Sequence, residues 1–292
     1  MRFLTLNTHS WCEIHQIAKI RTLAKFIIEH QVDVIALQEV NQLTSTPVVK
    51  EPLNYRGGAG VPVHEDNYAL LLVQALNEMG ATYEWTLTEA HIGWDRYDEC
   101  VAILSRLPIR GIKPIDMSPE YGYHQVQRRA AQAALIETET GTFWCATTHM
   151  SWWDFDGEPL FAQEYAHLSQ ELAECARTAP VLLGGDFNSA AHLPNEGYAL
   201  VTSSGMIDTR SLAEHTDGEN TVHREIAGWE GSTDAKRIDF VFADRLLTVT
   251  SHAVVFRDNS PEAISDHSGL LLEIDPESWA PESILTPLTS QS

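Results

Sequence analysis

Apolar residues recur along this chain with two periods, and the switches between them predict the elements. Residues 1–6 alternate apolar and polar positions and read as a strand that runs out at Asn7. Over 13–30, Ile17, Ile20, Leu23, Ala24, Ile27 and Ile28 return at the spacing of an amphipathic helix. Residues 32–37 are almost wholly apolar, as in a strand covered on both faces, and end at Gln38-Glu39. Helical spacing returns over 68–79 and 160–176. Strands are predicted over 82–88, 100–104, 109–115, 130–137 and 143–148, then over 180–183 leading into Gly184-Gly185-Asp186. Three more are predicted over 237–242, 249–256 and 268–274. Residues 41–67, rich in Pro and Gly, lack a period and are long enough to serve as a lid or specificity loop. Residues 189–235 are loop-rich, and 276–292 read as a flexible C-terminal tail.

The predicted strand ends carry polar side chains: Asn7, Glu39, His149, the pair Asp186 and Asn188, and Asp266-His267. Open α/β sheets place their ligands at such ends. Taken singly, Asn7, Glu39 and the Asp186 stretch are ordinary turn formers, caps or first solvated positions and His149 a semi-buried imidazole, whereas Asp266-His267 leads into an apolar run where its polarity has no structural use. Together, three carboxylates, two amides and two imidazoles suit a hard cation with oxygen ligands beside an acid/base pair. Zinc-type spacing of Cys and His is scarce, so magnesium or manganese is the expected metal.

Charge narrows the partners. The chain carries 41 acidic and 19 basic residues, a net −22, so its long-range field repels a polyanion and argues against nucleic acid as the main partner. Adjacent basic residues occur at Arg128-Arg129 and Lys236-Arg237, which is local anion chemistry and not a stripe that tracks a backbone. Cys12, Cys100, Cys145 and Cys175 have no C-x-x-C spacing and are expected to be free thiols, mostly buried, in a reducing compartment. The chain opens directly into a strand and has no run long enough to cross a bilayer, so the expectation is a cytoplasmic protein with no membrane partner.

In chain order, Leu6-Asn7, Leu37-Gln38-Glu39-Val40, Thr148-His149, Gly185-Asp186-Phe187-Asn188, Arg237-Ile238-Asp239 and Ser265-Asp266-His267 resemble the motifs of the endonuclease/exonuclease/phosphatase superfamily. That superfamily includes deoxyribonuclease I-like nucleases, inositol-phosphate phosphatases and neutral sphingomyelinases. The resemblance covers residues 1–275, which would form the catalytic domain. It implies an α+β fold, a four-layer αββα sandwich with two packed mixed β-sheets. It also implies roles. Glu39 would hold Mg2+ or Mn2+, with Asn7 and Asp266 as further or water-mediated ligands. Asp186 would orient and deprotonate the attacking water, while Asn188 and His149 donate to the phosphoryl oxygens. His267, held by Asp239, would stabilise the developing charge.

The remaining residues bear on the substrate. Trp94, Trp152, Trp153 and Trp229 lie in loops near these motifs, and flat rings suit sugars and nucleobases alike, although Trp is as often a core residue. Arg128 and Arg129 could form a planar fork on a phosphate or pair with surface acids. Segments 7–11 and 93–99, Trp152-Trp153 and Gly228-Trp229 resemble those of bacterial maltose 6'-phosphate phosphatases. The expected activity is a metal-dependent phosphomonoesterase acting on a small phosphorylated sugar, with the oligomeric state open. One alternative is a metal-dependent nuclease, whose binding would fall steeply with salt. The other is a non-catalytic binding module of the same fold.

Overall fold

The computed structural model describes residues 1–57, 62–257 and 260–279. The first half of the chain forms β1 (Arg2–Asn7), α1 (Gln16–Glu29), β2 (Val34–Leu43), α2 (Tyr68–Glu78), β3 (Glu84–Gly93), β4 (Tyr97–Ser105), β5 (Ile109–Asp116) and β6 (Ala130–Thr138). There follow β7 (Gly141–His149), α3 (Leu160–Ala176), β8 (Val181–Asp186), α4 (Gly197–Ser203), β9 (Ile207–Asp208), β10 (Ala213–Asp217), β11 (Asp239–Ala243), β12 (Val249–Val255) and β13 (Gly269–Ile274). The strands form a seven-stranded sheet in the order β10-β12-β13-β1-β2-β4-β3 and a six-stranded sheet in the order β5-β6-β7-β8-β11-β9. Each mixes parallel and antiparallel pairs.

Three apolar layers hold the sheets and helices together. Ile20, Leu23, Ala24 and Ile27 of α1, with Leu72 and Leu76 of α2, pack on Leu4, Leu6, Ile35 and Leu37 of the seven-stranded sheet. Phe3, Val34, Ile103, Phe143, Leu182 and Val241 fill the space between the sheets. Phe161, Leu168 and Leu172 of α3 and Val201 of α4 cover the outer face of the six-stranded sheet with Leu183, Phe240 and Phe242. Alternate residues of one strand thus serve different layers, as Phe3 and Leu4 do, because successive side chains leave a strand on opposite faces. The architecture is the expected four-layer αββα sandwich.

Helix α1 starts at Gln16, later than its apolar spacing suggests, and Ile17 stands in solvent. Residues 276–279 form a single 3-10 turn, and the rest of the expected tail, 280–292, lies outside the described residues. Within 41–67, β2 runs to Leu43 and residues 58–61 are likewise not described. The remainder is tied to the seven-stranded sheet: Gln42 Nε2 donates to Pro62 O at 2.8 Å and Arg56 N to Trp85 O at 2.7 Å. Asn67 caps α2 by accepting from Leu70 N at 3.1 Å while its amide nitrogen donates to Gln42 Oε1 at 3.0 Å.

Candidate active site

Strand register assembles the floor of the site. β7 and β8 run parallel with His149 paired to Asp186, and β11 runs antiparallel with Asp239 paired to the same Asp186. Paired residues on neighbouring strands share a face, so an imidazole and two carboxylates stand in a row at one edge of the six-stranded sheet. Asn7, at the end of β1 in the other sheet, donates from Nδ2 to Glu39 Oε1 and to Asp186 Oδ2, both at 2.9 Å. Gln38 Nε2 adds a second tie between the sheets through Thr147 Oγ1 at 2.9 Å. The turn before β13 is held by Ser265 Oγ donating to Asn7 O at 2.7 Å. It delivers His267, whose Nδ1 donates to Asp239 Oδ2 at 3.0 Å and whose Nε2 stands 3.6 Å from Asp186 Oδ2. Just past β8, Asn188 takes a left-handed turn at φ 43°. Its N–H donates to Asp186 Oδ1 at 2.9 Å, and its Nδ2 donates to Met150 O at 3.0 Å and lies 3.1 Å from His149 Nε2.

Glu39 does not lie past the end of β2, as its sequence position suggested. The strand continues, and a bulge between Leu37 and Val40 absorbs the residue, with Glu39 at φ 49°. Its carbonyl accepts from Thr8 Oγ1 at 2.8 Å and Ser10 Oγ at 2.5 Å, which fixes the bulge and leaves the side chain to line the cleft. Burial and the neighbouring charge of Glu99, with Asp266 adding to it, push the Glu39 carboxyl above its usual pKa. Among the described residues no Lys or Arg pairs with it, and its side-chain hydrogen bond comes from Asn7. A desolvated carboxylate among like charges fits a hard divalent cation with oxygen ligands, and Glu39 and Asp266 are the donors that would hold it. Asn7 uses its amide nitrogen on Glu39 and Asp186 and its oxygen on the His9 N–H at 3.0 Å, so it braces the site. Two other groups bring ligand atoms together, Asp186/Asp239/His267 and His9/Glu13/Asp266. In the first, His267 already bonds Asp239; in the second, Glu13 is paired with Lys19 and with His9.

Glu99 is the site residue that sequence reasoning did not find. Its segment read as a loop ahead of a strand over 100–104, whereas β4 begins at Tyr97 and turns Glu99 into the floor. The available signal was the acidic pair Asp98-Glu99 opening an apolar run. Glu99 Oε1 accepts from His149 Nδ1 at 3.1 Å and lies 3.6 Å from Arg129 Nη1, and Oε2 lies 3.6 Å from His91 Nε2. Against its burial, His91, His149 and Arg129 hold the Glu99 carboxyl well below the usual carboxylate range. Burial and the Arg129 charge lower the pKa of His149, but Glu99 and Asp186 outweigh them and raise it. For His267, burial is overcome by Asp239 and Asp186, which hold it well above the ordinary imidazole value. Two carboxylate–imidazole pairs, Glu99–His149 and Asp239–His267, therefore flank Asp186, each with Nδ1 anchored and Nε2 turned toward it.

Above this floor opens a cleft of about 940 Å³. Its walls come from residues 91–95, 124–127, 152–156 and 226–230, and no described residue of 41–67 lines it, because that segment is bonded to β2 and β3 instead. Arg128 is turned away: its guanidinium donates to the carbonyls of Glu89 and Ala90. Arg129 lines the cleft, 2% exposed, its Nε donating to Ser151 Oγ at 3.2 Å and its Nη1 lying 3.6 Å from Glu99 Oε1. The tryptophans divide. Trp94 at the turn between β3 and β4 is 68% exposed on the rim, and Trp152 lines the wall. Trp153 instead packs against Phe161 at 5.9 Å, where α3 gives it an apolar surface to cover. Trp229 lies behind the wall beside Ile226 and Ile238, its Nε1 3.4 Å from Asn188 Oδ1.

The profile of the endonuclease/exonuclease/phosphatase family matches residues 17–267. The chain belongs to that family. That family is generally one of hydrolases. No curated protein matches the chain in sequence. Among solved structures, an endonuclease/exonuclease/phosphatase family protein from Leptotrichia buccalis is 29% identical, with TM-score 0.82, covering 94% of this chain and 99% of its own. A mannosyl-6-phosphatase from Bacteroides thetaiotaomicron is 18% identical, with TM-score 0.67, covering 94% and 99%. TDP2 from D. rerio, complexed with a single-stranded DNA product, is 15% identical, with TM-score 0.64, covering 94% and 98%. The last two share the fold of this family member. No helix among the described residues is long and apolar enough to cross a membrane.

Proposed function

We propose that this family member is a divalent-metal-dependent phosphomonoesterase acting on a small phosphorylated sugar. The observation that carries the reading is the charge of the cleft. On its walls Asp95, Asp154, Asp156 and Glu230 stand with no Lys or Arg among the lining residues of those segments, while the cationic groups Arg129, His149 and His267 lie at the floor beside Glu39, Glu99 and Asp266. Such walls repel the backbone of a nucleic acid, whereas a sugar monophosphate brings its charge to the floor alone and a neutral body to the walls. The mannosyl-6-phosphatase of the same fold and the exposed ring of Trp94 support it, and the loop resemblance noted above favours a substrate like maltose 6'-phosphate.

The floor has the parts for direct attack of water on phosphorus. Asp186, held by Asn7 and the Asn188 N–H, would orient the water and take its proton. Asn188 Nδ2 and His149 Nε2, 3.1 Å apart, would donate to the phosphoryl oxygens, each preorganised donor stabilising the transition state by about 3 kcal/mol. His267, kept charged by Asp239, would face the developing negative charge, and as the P–O bond to the sugar breaks, the departing oxygen would take a proton from solvent, balancing the one taken up by Asp186, and leave as a hydroxyl. A cation on Glu39 and Asp266, Mg2+ or Mn2+, would neutralise charge on the phosphoryl and leaving oxygens.

The test is a panel of hexose phosphates and maltose 6'-phosphate, beside single-stranded and supercoiled DNA, each with Mg2+ or Mn2+. Phosphate release from a sugar that stops on chelation supports the reading. DNA cleavage with no phosphate from any sugar replaces it with a nuclease, and binding without turnover of either replaces it with a binding module.

A further inference from the structure

We infer that Arg128 is a positioning residue: it fixes a bulge in β3 that sets His91 against Glu99, and through Glu99 it acts on His149; the inference rests on the phosphomonoesterase reading above. Strand β4 lies between β2 and β3, and both neighbours bulge as they pass its Glu99 end. On one side Gln38 and Glu39 oppose the single Val101, between the pairs Leu37–Ala102 and Val40–Cys100. On the other, Glu89 pairs with Cys100 and His91 with Glu99, so Ala90 is the extra residue. Without it Ala90 would stand opposite Glu99, and His91 would move on to Asp98 and turn to the other face.

Arg128 holds this bulge from both sides. Its Nη1 donates to the carbonyls of Glu89, at 3.3 Å, and of Ala90, and its own carbonyl accepts from His91 Nδ1 at 3.0 Å. A bulge leaves backbone groups outside the ladder, and here one guanidinium supplies them. The bond at Nδ1 also fixes the tautomer of His91. A carbonyl only accepts, so the ring proton sits on Nδ1, and Nε2, 3.6 Å from Glu99 Oε2, is bare. Burial, with the charges of Arg129 and His149, outweighs the pull of Glu99 and lowers the His91 pKa to about 4, so the ring is neutral.

His91 therefore confines the Glu99 carboxylate without giving it a proton. Oε2 meets a neutral ring, and Oε1 is left to His149 Nδ1 at 3.1 Å and Arg129 Nη1 at 3.6 Å. The hold of Glu99 on His149 is undiluted while His91 keeps this place and this tautomer. The charged or titratable groups around His149 are Glu99 of β4, Arg129 and Asp186 of β8, with Glu39 of β2, His91 of β3 and Glu164 of α3 also within reach of its charge. Arg128 enters this set through His91 and Glu99. Arg129, next in the chain, is held separately, its N–H donating to Ser118 Oγ at 3.2 Å and its carbonyl accepting from Met117 N at 3.1 Å.

Arg128→Met keeps the side chain's bulk and removes its donors. On a phosphomonoester that the wild type hydrolyses, kcat should fall about tenfold with KM little changed, and the high-pH limb of kcat/KM should move to lower pH. In a Glu99→Gln background the same substitution should add nothing, because both act on one link. Asp116→Asn, which removes the carboxylate 3.8 Å from Arg128 Nη2 and leaves the carbonyl bonds in place, should change neither kcat nor the limb. His91→Ala frees Glu99 from the other end of the link and should move the limb the same way; if Arg128→Met does not fold, this variant decides alone. An unmoved limb in these variants, or an equal loss from Arg128→Met with and without Glu99→Gln, makes Arg128 part of the framework only and overturns the inference. If the wild type hydrolyses no phosphomonoester, it is the reading above that fails, and the inference falls with it.

Discussion

The floor of the cleft and its rim are made differently. Asp186, Asp239 and His149 ride on paired strands, so their positions follow from which residues pair, and all are nearly buried. The rim rides on loops, and Trp94 there is 68% exposed. A register allows no half steps, because a slip of one residue turns every side chain to the other face. A loop can change length or composition without disturbing the sheet beneath it. The floor therefore suits a reaction shared across a family, and the rim suits what differs between its members.

The most severe test of this division is Asp186→Asn, which keeps the shape of the floor and removes the base proposed for it. Activity should fall by on the order of 10³-fold with little change in thermal stability, and more than a tenth of activity remaining would show that the proton goes elsewhere. Next, glycines from the two regions should separate in stability. A Cβ on Gly185, beside the base, would sit 2.2 Å from the Thr148 carbonyl oxygen, so Gly185→Ala should lose about 1–3 kcal/mol or more by urea unfolding. Gly157 on the rim has φ +86° and open space around it, so Gly157→Ala should lose about 1 kcal/mol, from the backbone alone. Closer agreement between the two would erase the contrast.

Glu99→Gln probes the joint between regions, since Glu99 touches both His149 and Arg129. Removing its charge lowers the pKa of His149, which is raised in the wild type. The high-pH limb of kcat/KM should therefore move to lower pH, with a loss of about 10–100-fold at neutral pH. An effect on stability and not on turnover is expected one layer further out, at Glu164 of α3, whose Oε2 accepts from Ser151 N at 2.9 Å. Burial pushes this carboxyl up from 4.5 to about 7. Unfolded chains release the proton near 4.5 and folded ones hold it to about 7, so stability falls as pH rises through that window. Thermal unfolding of Glu164→Gln across that range should be flatter than that of the wild type.

The two regions also differed in how far the sequence disclosed them. The limits of α3 match the periodic segment 160–176, because a long amphipathic face leaves an unambiguous signal. Asn7, Glu39, His149, Asp186, Asn188, Asp239, Asp266 and His267 gather at one edge of the sandwich, since strand order brings their ends together. Less was legible where position depends on a neighbour remote in sequence. The bulge that reorients Glu39 leaves no mark on the apolar pattern, and Glu99 was hidden in a strand whose start was placed too late. Trp152 and Trp153 are adjacent and chemically identical, and what separates them is contact with residues remote from the pair's own segment, Phe161 for Trp153 and Arg129 for Trp152. In 189–235, α4, β9 and β10 are too short to establish a period.

The left-handed backbone of Glu39 has one more consequence. An L-residue with a side chain holds that conformation at a cost of about 1–2 kcal/mol, which glycine would avoid. Glu39→Gly should therefore melt at the same temperature as the wild type or higher while losing its metal-dependent turnover, as calorimetry and phosphate release would show. Selection for a sturdier molecule and selection for a working one pull this single position in opposite directions, and the glutamate marks which of them has prevailed.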